Sequence, residues 1–209
     1  MTVIEKYKTY RKFGRELNHK IIDSCLDHEV FMRSARLLGI VHRDALVFDS
    51  KDETSILMDF ALNEYRVNNM NTIEIYHEKI GGQNEIERDI LNALLSSYTS
   101  LFKITSISEP ENTLLLNDIL NKKDNIMLTD IALSKTAIPG FLLFIRLVQL
   151  KDFNTTSGVS FVFPGNLENY LLMRYKKLSK KVKSDSDSIK RFISFFRLNK
   201  TDGIKVRYE

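Results

Sequence analysis

The chain has 209 residues, 43% hydrophobic and 28% charged, a composition that excludes a disordered or collagen-like protein and allows a sizeable core. Its one cysteine, Cys25, excludes an intrachain disulfide and a cysteine-based zinc cluster, so we expect the reducing cytoplasm. The sequence shows no apolar run with the character of a signal peptide or a membrane span, so we expect neither secretion nor a membrane partner.

The net charge of +4 is divided unevenly along the chain. Residues 1–20 carry a net charge of +4 and residues 166–209 carry +7, whereas the residues between them carry −7. Basic ends therefore flank an acidic body, and this division bears more on binding partners than the total charge does.

The front of the chain has the three- and four-residue apolar spacing of amphipathic helices. Residues 3–27 predict either one long helix or two short helices broken near Gly14. The run 45–48 is too short to assign. Further helices are predicted over 30–38 with Gly39 as the C-cap, over 55–62, over 72–80 and over 84–95.

The helix over 84–95 is the best defined, because Asn84 and Glu87 have the spacing of a capping box before an apolar stripe. From Tyr98 onward the apolar period changes from 3.6 to 2, which predicts strands. Five short strands are predicted, over 101–107, 113–120, 126–129, 141–150 and 158–163. Their tight connections favour a small antiparallel β barrel or a curled sheet.

Two helices are predicted after the strands, over 167–182 and 189–198, separated by the polar residues 184–188. The last ten residues have no assignment. The predicted class is α+β, with N-terminal helices, a small antiparallel β barrel or curled sheet of about five strands, and C-terminal helices. We expect three regions: helical residues 1–97, a small antiparallel β barrel over 98–165, and a basic helical region over 166–209.

Several segments resemble a family of uncharacterised bacterial proteins, some of which carry a C-terminal cysteine-rich SEC-C metal motif. The resemblance covers roughly residues 28–175 and lies in MDFALNEYR (58–66) with TIE (72–74), SSYTSLF (96–102), LNDIL (116–120) and Gly140 followed by IRL (145–147). It implies a layout and no activity. Because this chain lacks a cysteine-rich tail, no metal function is carried over from that motif.

No motif for catalysis or cofactor binding is present. The sequence contains no glycine-rich phosphate loop, no HExxH and no GxSxG. Cys25 and His28, with His19 one to two turns earlier, could face a metal, but Cys25 lies on the apolar side of its helix and is interpreted as core. Glu74 and Glu78 have the spacing of solvent-facing helix positions. We therefore predict no catalytic residue, no cofactor and no metal site.

Two arginines, Arg66 and Arg146, stand beside apolar residues. An arginine in such a place is usually partly buried with a carboxylate. We expect structural ion pairs with an acid such as Asp59 or Asp118.

The strongest functional signal is the basic C-terminal region. Lysines and arginines on a helix exterior neutralise phosphates and release counterions, so nucleic acid is the first candidate partner. The candidate contacts are Arg174, Lys176, Lys177, Lys180, Lys181, Lys183, Lys190 and Arg191, interleaved with aromatic residues.

A protein-interaction or self-assembly module without a nucleic-acid role is the alternative function. In that hypothesis Phe192, Phe195 and Phe196 dock onto a protein partner or a second copy of the chain. A simpler interpretation of the lysines is a solvated helix face, with the aromatics in the core. A hydrolase that uses aspartate or glutamate is a third hypothesis, and it lacks a motif.

Overall fold

The structure is a computed structural model in which residues 1–204 are described. The chain divides into two compact units, Met1–Ser96 and Ser97–Glu209. Helices dominate the first unit and a β-sheet with helices forms the second, which confirms the α+β class. Residues 205–209 of the predicted basic region lie outside the described residues.

The first unit consists of five helices and a short hairpin. α1 runs without a break through Gly14, so residues 3–25 form one helix rather than two. Gly39 has a φ of 76° and ends α2, as predicted, because glycine adopts the left-handed conformation at little cost. The elements are α1 (Val3–Cys25), α2 (His28–Leu38), β1 (Val41–His42), β2 (Ala45–Leu46), α3 (Asp52–Asn63), α4 (Thr72–Lys79) and α5 (Glu85–Leu95).

One hydrophobic cluster of the first unit is built largely from α1, α4 and α5. Its buried residues are Leu17, Ile21, Leu62, Ile73, Tyr76, Ile90 and Leu91. α3 buries Ile56, Leu57, Phe60 and Ala61 as well. Asn84 caps α5 by accepting a hydrogen bond from the Glu87 backbone N–H at 2.9 Å, as predicted. The buried Glu87 carboxylate accepts from Lys20 Nζ at 2.6 Å and from the Gln83 N–H at 2.9 Å.

The second unit contains five strands and three α-helices among its described residues. Its elements are β3 (Tyr98–Ser108), β4 (Thr113–Asp118), β5 (Lys123–Thr129), α6 (Ile131–Thr136), β6 (Leu142–Gln149), β7 (Asn154–Phe163), a 3₁₀ turn (Gly165–Leu167), α7 (Glu168–Ser179) and α8 (Asp187–Asp202).

The five strands form a mixed sheet in the order β3-β4-β5-β7-β6, and β3 also pairs with β6. Four of the five pairings are antiparallel, and β5 pairs with β7 in parallel through Leu128 and Asn154. The prediction of a purely antiparallel sheet is therefore wrong in this respect. The parallel pairing arises because β5 and β7 run in the same direction as neighbours in the sheet.

The two faces of the sheet are both apolar. One face holds the buried residues Phe102, Ile104, Leu114, Leu116, Leu128, Leu143, Ile145 and Leu147. On the other face Phe144 of β6 and Phe161 of β7 stack at 5.5 Å between ring centroids. α8 covers these two rings with its own aromatic side chains.

None of the helices in residues 1–204 combines the length and apolarity that crossing a bilayer requires.

Candidate nucleic-acid interface

Six of the eight predicted contacts lie together on α7 and on the residues just after it. We call this set the α7 basic face, and all six side chains are exposed: Arg174, Lys176, Lys177, Lys180, Lys181 and Lys183. The orientation of α7 is fixed by the opposite side of the helix, which packs inward. That side carries Leu171, which is fully buried, and Tyr175, whose ring stacks on Phe195 at 5.2 Å. Residues on the opposite side of the helix therefore meet solvent.

The α7 basic face has no acidic residue to neutralise it locally. Residues 169–183 contain no Asp or Glu, and no residue between 1 and 204 gives any of the six cations an ion pair. Lys176 and Lys180 are one helical turn apart, about 6 Å along the axis, and like charges at this spacing repel each other. A bound polyanion would relieve that repulsion.

The other two predicted contacts lie on α8 and are engaged within the second unit. Lys190 pairs with Asp187 at 3.4 Å. Arg191 donates from Nη1 to the backbone carbonyl of Thr99, at the start of β3. Neither residue belongs to the α7 basic face.

The three phenylalanines of the alternative hypothesis are buried in the fold. Phe192, Phe195 and Phe196 are at most 1% exposed. Phe195 stacks on Phe144 of β6 with 4.4 Å between ring centroids, and Phe192 meets Phe161 edge to face at 6.0 Å. These rings hold α8 on the sheet, so they offer no exposed surface to a partner.

An open groove runs along the α7 basic face, with a volume of about 440 Å³. It is lined by Asn169, Leu172, Met173, Lys176, Lys177 and Lys180. The side chain of Met173 is 50% exposed, one turn before Lys176 and Lys177. Sequence reasoning missed Asn169 and Met173, although their spacing of three, four and seven residues from the lysines places them on the same helix face.

A second aromatic residue lies at the start of the same helix. Tyr170 is half-buried, and the guanidinium of Arg174 lies over its ring at 5.9 Å from the centroid. This distance is within the range of a cation–π contact. Tyr170 and Arg174 therefore place an aromatic ring and a cation on the same helix as the groove, although neither residue lines it.

A polar cluster at the start of β3 is occupied by structural hydrogen bonds. The buried carboxylate of Asp118 accepts from the Ser100 hydroxyl, from the Asn121 backbone N–H at 3.0 Å and from Asn121 Nδ2 at 2.8 Å. Burial, together with the charge and hydrogen bond of Asp118, raises the pKa of Tyr98 to about 12. The cluster ties β3 to the turn between β4 and β5.

Three further residues that the sequence brings forward are Arg66, Arg146 and Cys25. Arg66 forms the expected structural ion pair, with Glu74 rather than Asp59 as the acid, through two hydrogen bonds of 2.7 and 2.8 Å. Arg146 is buried at 4% exposure. Burial raises the pKa of the Cys25 thiol, which disfavours the thiolate that nucleophilic or metal chemistry needs. No group of three metal-ligating side chains occurs among residues 1–204.

A protein-family model matches residues 1–209, and its description is Family of unknown function (DUF7986). That description mentions neither a bacterial source nor a SEC-C motif. No curated protein and no solved structure matches the chain.

Proposed function

The chain belongs to the family of unknown function DUF7986, and we propose that it is a non-catalytic protein that binds RNA or DNA through the α7 basic face. One observation supports this proposal above the others: six exposed cations lie within residues 174–183, three of them line one groove, and residues 169–183 contain no Asp or Glu. Such a surface attracts phosphates, and binding is favoured because it releases the counterions that were condensed on the nucleic acid.

The rest of the second unit serves as the scaffold in this proposal. The strands of region 98–165 form a small barrel, the basic region 166–209 carries the binding surface, and the helices of 1–97 form a separate part. α8 fixes α7 to the scaffold through its buried rings, Tyr175 stacking on Phe195. We place the protein in the cytoplasm because Cys25 is a free thiol.

The test is a salt titration of binding. Fluorescence anisotropy of a labelled mixed-sequence oligonucleotide gives the association constant at a series of salt concentrations. Changing Lys176, Lys177, Lys180 and Lys181 to Ala should weaken binding at low salt and reduce the slope of log K against log salt by about 3, because each lost phosphate contact removes about 0.7–0.9.

The matched control removes the same charge elsewhere. Lys51, Lys79, Lys135 and Lys151 are also exposed, and their change to Ala should leave most of the slope in place. If this control loses as much as the first variant, the attraction is a general effect of net charge and the proposal fails. It also fails if the unaltered protein does not bind at low salt.

A second copy of the chain or an acidic protein is the competing occupant of this face, because the residues between the basic ends carry a net charge of −7. Light scattering over the same salt series distinguishes self-assembly from nucleic-acid binding. A dimer that dissociates with rising salt, in a protein that binds no oligonucleotide, would assign the α7 basic face to self-assembly and overturn nucleic-acid binding.

A further inference from the structure

The groove on the α7 basic face has an apolar floor. Leu172 and Met173 line the groove one turn before Lys176 and Lys177, and Met173 leaves 50% of its surface exposed. Contact with phosphates alone requires no apolar residue at this place. A flexible thioether exposed beside a row of lysines is instead suited to an apolar flat surface of variable shape.

Single-stranded and double-stranded nucleic acids differ in what they show to such a face. A duplex shows phosphates on its outside and keeps the faces of its bases stacked within the helix. A single strand shows both its phosphates and the faces of its bases, and proteins bind it by combining cations with side chains on which the bases stack. The mixed surface of α7 matches the single strand.

The position of α7 also favours this ligand. Its inner side is held by Leu171 and by Tyr175 against Phe195, so only the outer face of one helix is available. That face displays one Asn and several lysines, which can contact phosphates or base edges, together with Leu172 and Met173, which can pack against the faces of bases. Charge and contact with base faces are the two features that a single strand can use together.

We propose that the α7 basic face binds single-stranded nucleic acid, with phosphates at Lys176, Lys177 and Lys180 and a base against Met173. This inference rests on the function proposed above. The exposed guanidinium of Arg174, which lies over the Tyr170 ring at 5.9 Å, provides a flanking contact for the next base. Recognition of this kind is tolerant of sequence, because every base has an apolar face.

The experiment compares one oligonucleotide as a single strand and as a duplex at the same salt concentration. Anisotropy should show tighter binding of the single strand. Met173→Ala should weaken binding of the single strand by about fivefold, the lowest value found for a base stacked on an aromatic side chain, because a thioether offers a smaller apolar surface. It should leave the salt slope and duplex binding unchanged, because no charge is removed.

Met127 provides the matched control. It is also 50% exposed and lies on β5, away from the groove lining, so Met127→Ala should leave binding of the single strand unchanged. Met173→Lys is a second variant. It adds a cation, so a face that contacted phosphates alone would bind both ligands more tightly, whereas loss of a base contact should reduce the preference for the single strand.

The outcomes separate this inference from the proposed function. Equal binding of duplex and single strand, with no effect of Met173→Ala, overturns the inference while the lysine result still supports nucleic-acid binding. Absence of binding to either ligand overturns both. Competition by polyglutamate as effective as that by an oligonucleotide of equal charge would assign the face to acidic peptides and also overturn both.

Discussion

α7 and α8 are neighbouring helices of similar composition with opposite roles. α7 buries one side chain, Leu171, and carries exposed, unpaired cations along its outer face. α8 buries seven residues, including three phenylalanines, against the sheet. The amount of apolar surface on the inner side, and not the number of lysines, determines which helix packs and which remains available for binding.

The cations of the two helices show the same difference. On α8, Lys190 pairs with Asp187, Arg191 donates to the Thr99 carbonyl, and Lys200 lies over the ring of Phe196 at 5.3 Å. The lysines of the α7 basic face have no carboxylate partner among residues 1–204. Cations that already serve the fold are poor candidates for a ligand, since binding would have to break their contacts.

The largest effect that tests this comparison is expected at Phe195. Its ring is fully buried and contacts Phe144 and Tyr175, so Phe195→Ala should lower the free energy of unfolding by about 3–5 kcal/mol. Urea denaturation measures the loss. Met173→Ala on α7 is the control and should change stability by less than about 0.5 kcal/mol. A similar result for both variants would mean that α8 is not the packing helix.

A smaller loss is expected when Arg191 is changed. Arg191→Ala leaves the partly buried carbonyl of Thr99 without this charged donor, which should cost about 1–3 kcal/mol in urea denaturation. Arg191→Lys keeps the charge but not the shape of the guanidinium, so it should restore only part of the loss. Arg197 is exposed on the same helix, and Arg197→Ala should be nearly neutral. Equal effects at Arg191 and Arg197 would contradict the structural role of Arg191.

Local signals in the sequence were sufficient for most helices. The Gly39 C-cap and the Asn84 N-cap were both predicted, because each depends on backbone geometry within a few residues. The Glu87 side chain was expected to complete a capping box with Asn84. It accepts instead from Lys20 of α1, a contact between residues far apart in the chain.

The strands were harder to delimit for a physical reason. β5 begins at Lys123 and β7 at Asn154, each in a polar stretch without the apolar alternation of a half-buried strand. Hydrogen bonds to neighbouring strands define these residues as strand, and such pairing is not visible in local sequence. α6, with six residues, is too short for a periodic signal.

The candidate site was predicted only in part, because some of its features depend on contacts between residues far apart in the chain. The lysines of α7 follow from helical spacing, since Leu171 and Tyr175 mark the inner side. Lys190 and Arg191 fit the same basic pattern, and only the contact between α8 and β3 shows that Arg191 is used within the fold. The buried phenylalanines could be placed in the core by spacing, but their contacts with Phe144 and Phe161 required the sheet.

Alkaline titration of Tyr98 tests the interior contacts near Arg191. The pKa of Tyr98 is raised to about 12, whereas an unfolded tyrosine has a pKa of about 10. The stabilisation is therefore fully present below about pH 10 and is lost as pH rises toward about 12. Tyr98→Phe should show a smaller loss of stability over this range, measured as urea midpoints at successive pH values.

Arg191 opposes the rise in the pKa of Tyr98, so Arg191→Ala should shift the ultraviolet titration of Tyr98 to still higher pH. An unchanged titration would mean that Arg191 does not act on this cluster.

The smallest effect on stability is expected for the four lysines of the α7 basic face. Changing Lys176, Lys177, Lys180 and Lys181 to Ala removes like charges one turn apart, each pair of which costs about 0.2–0.5 kcal/mol in a helix. The variant should therefore be as stable as the unaltered protein or slightly more stable at low salt, and the difference should shrink as salt screens the repulsion. Urea denaturation at low and high salt measures both values. A loss above about 1 kcal/mol would mean that these lysines have partners within the fold, because exposed unpaired side chains contribute little to folding.

Loss of oligonucleotide binding without loss of stability would instead separate the roles of the two helices, with α8 required for folding and α7 for binding of the ligand.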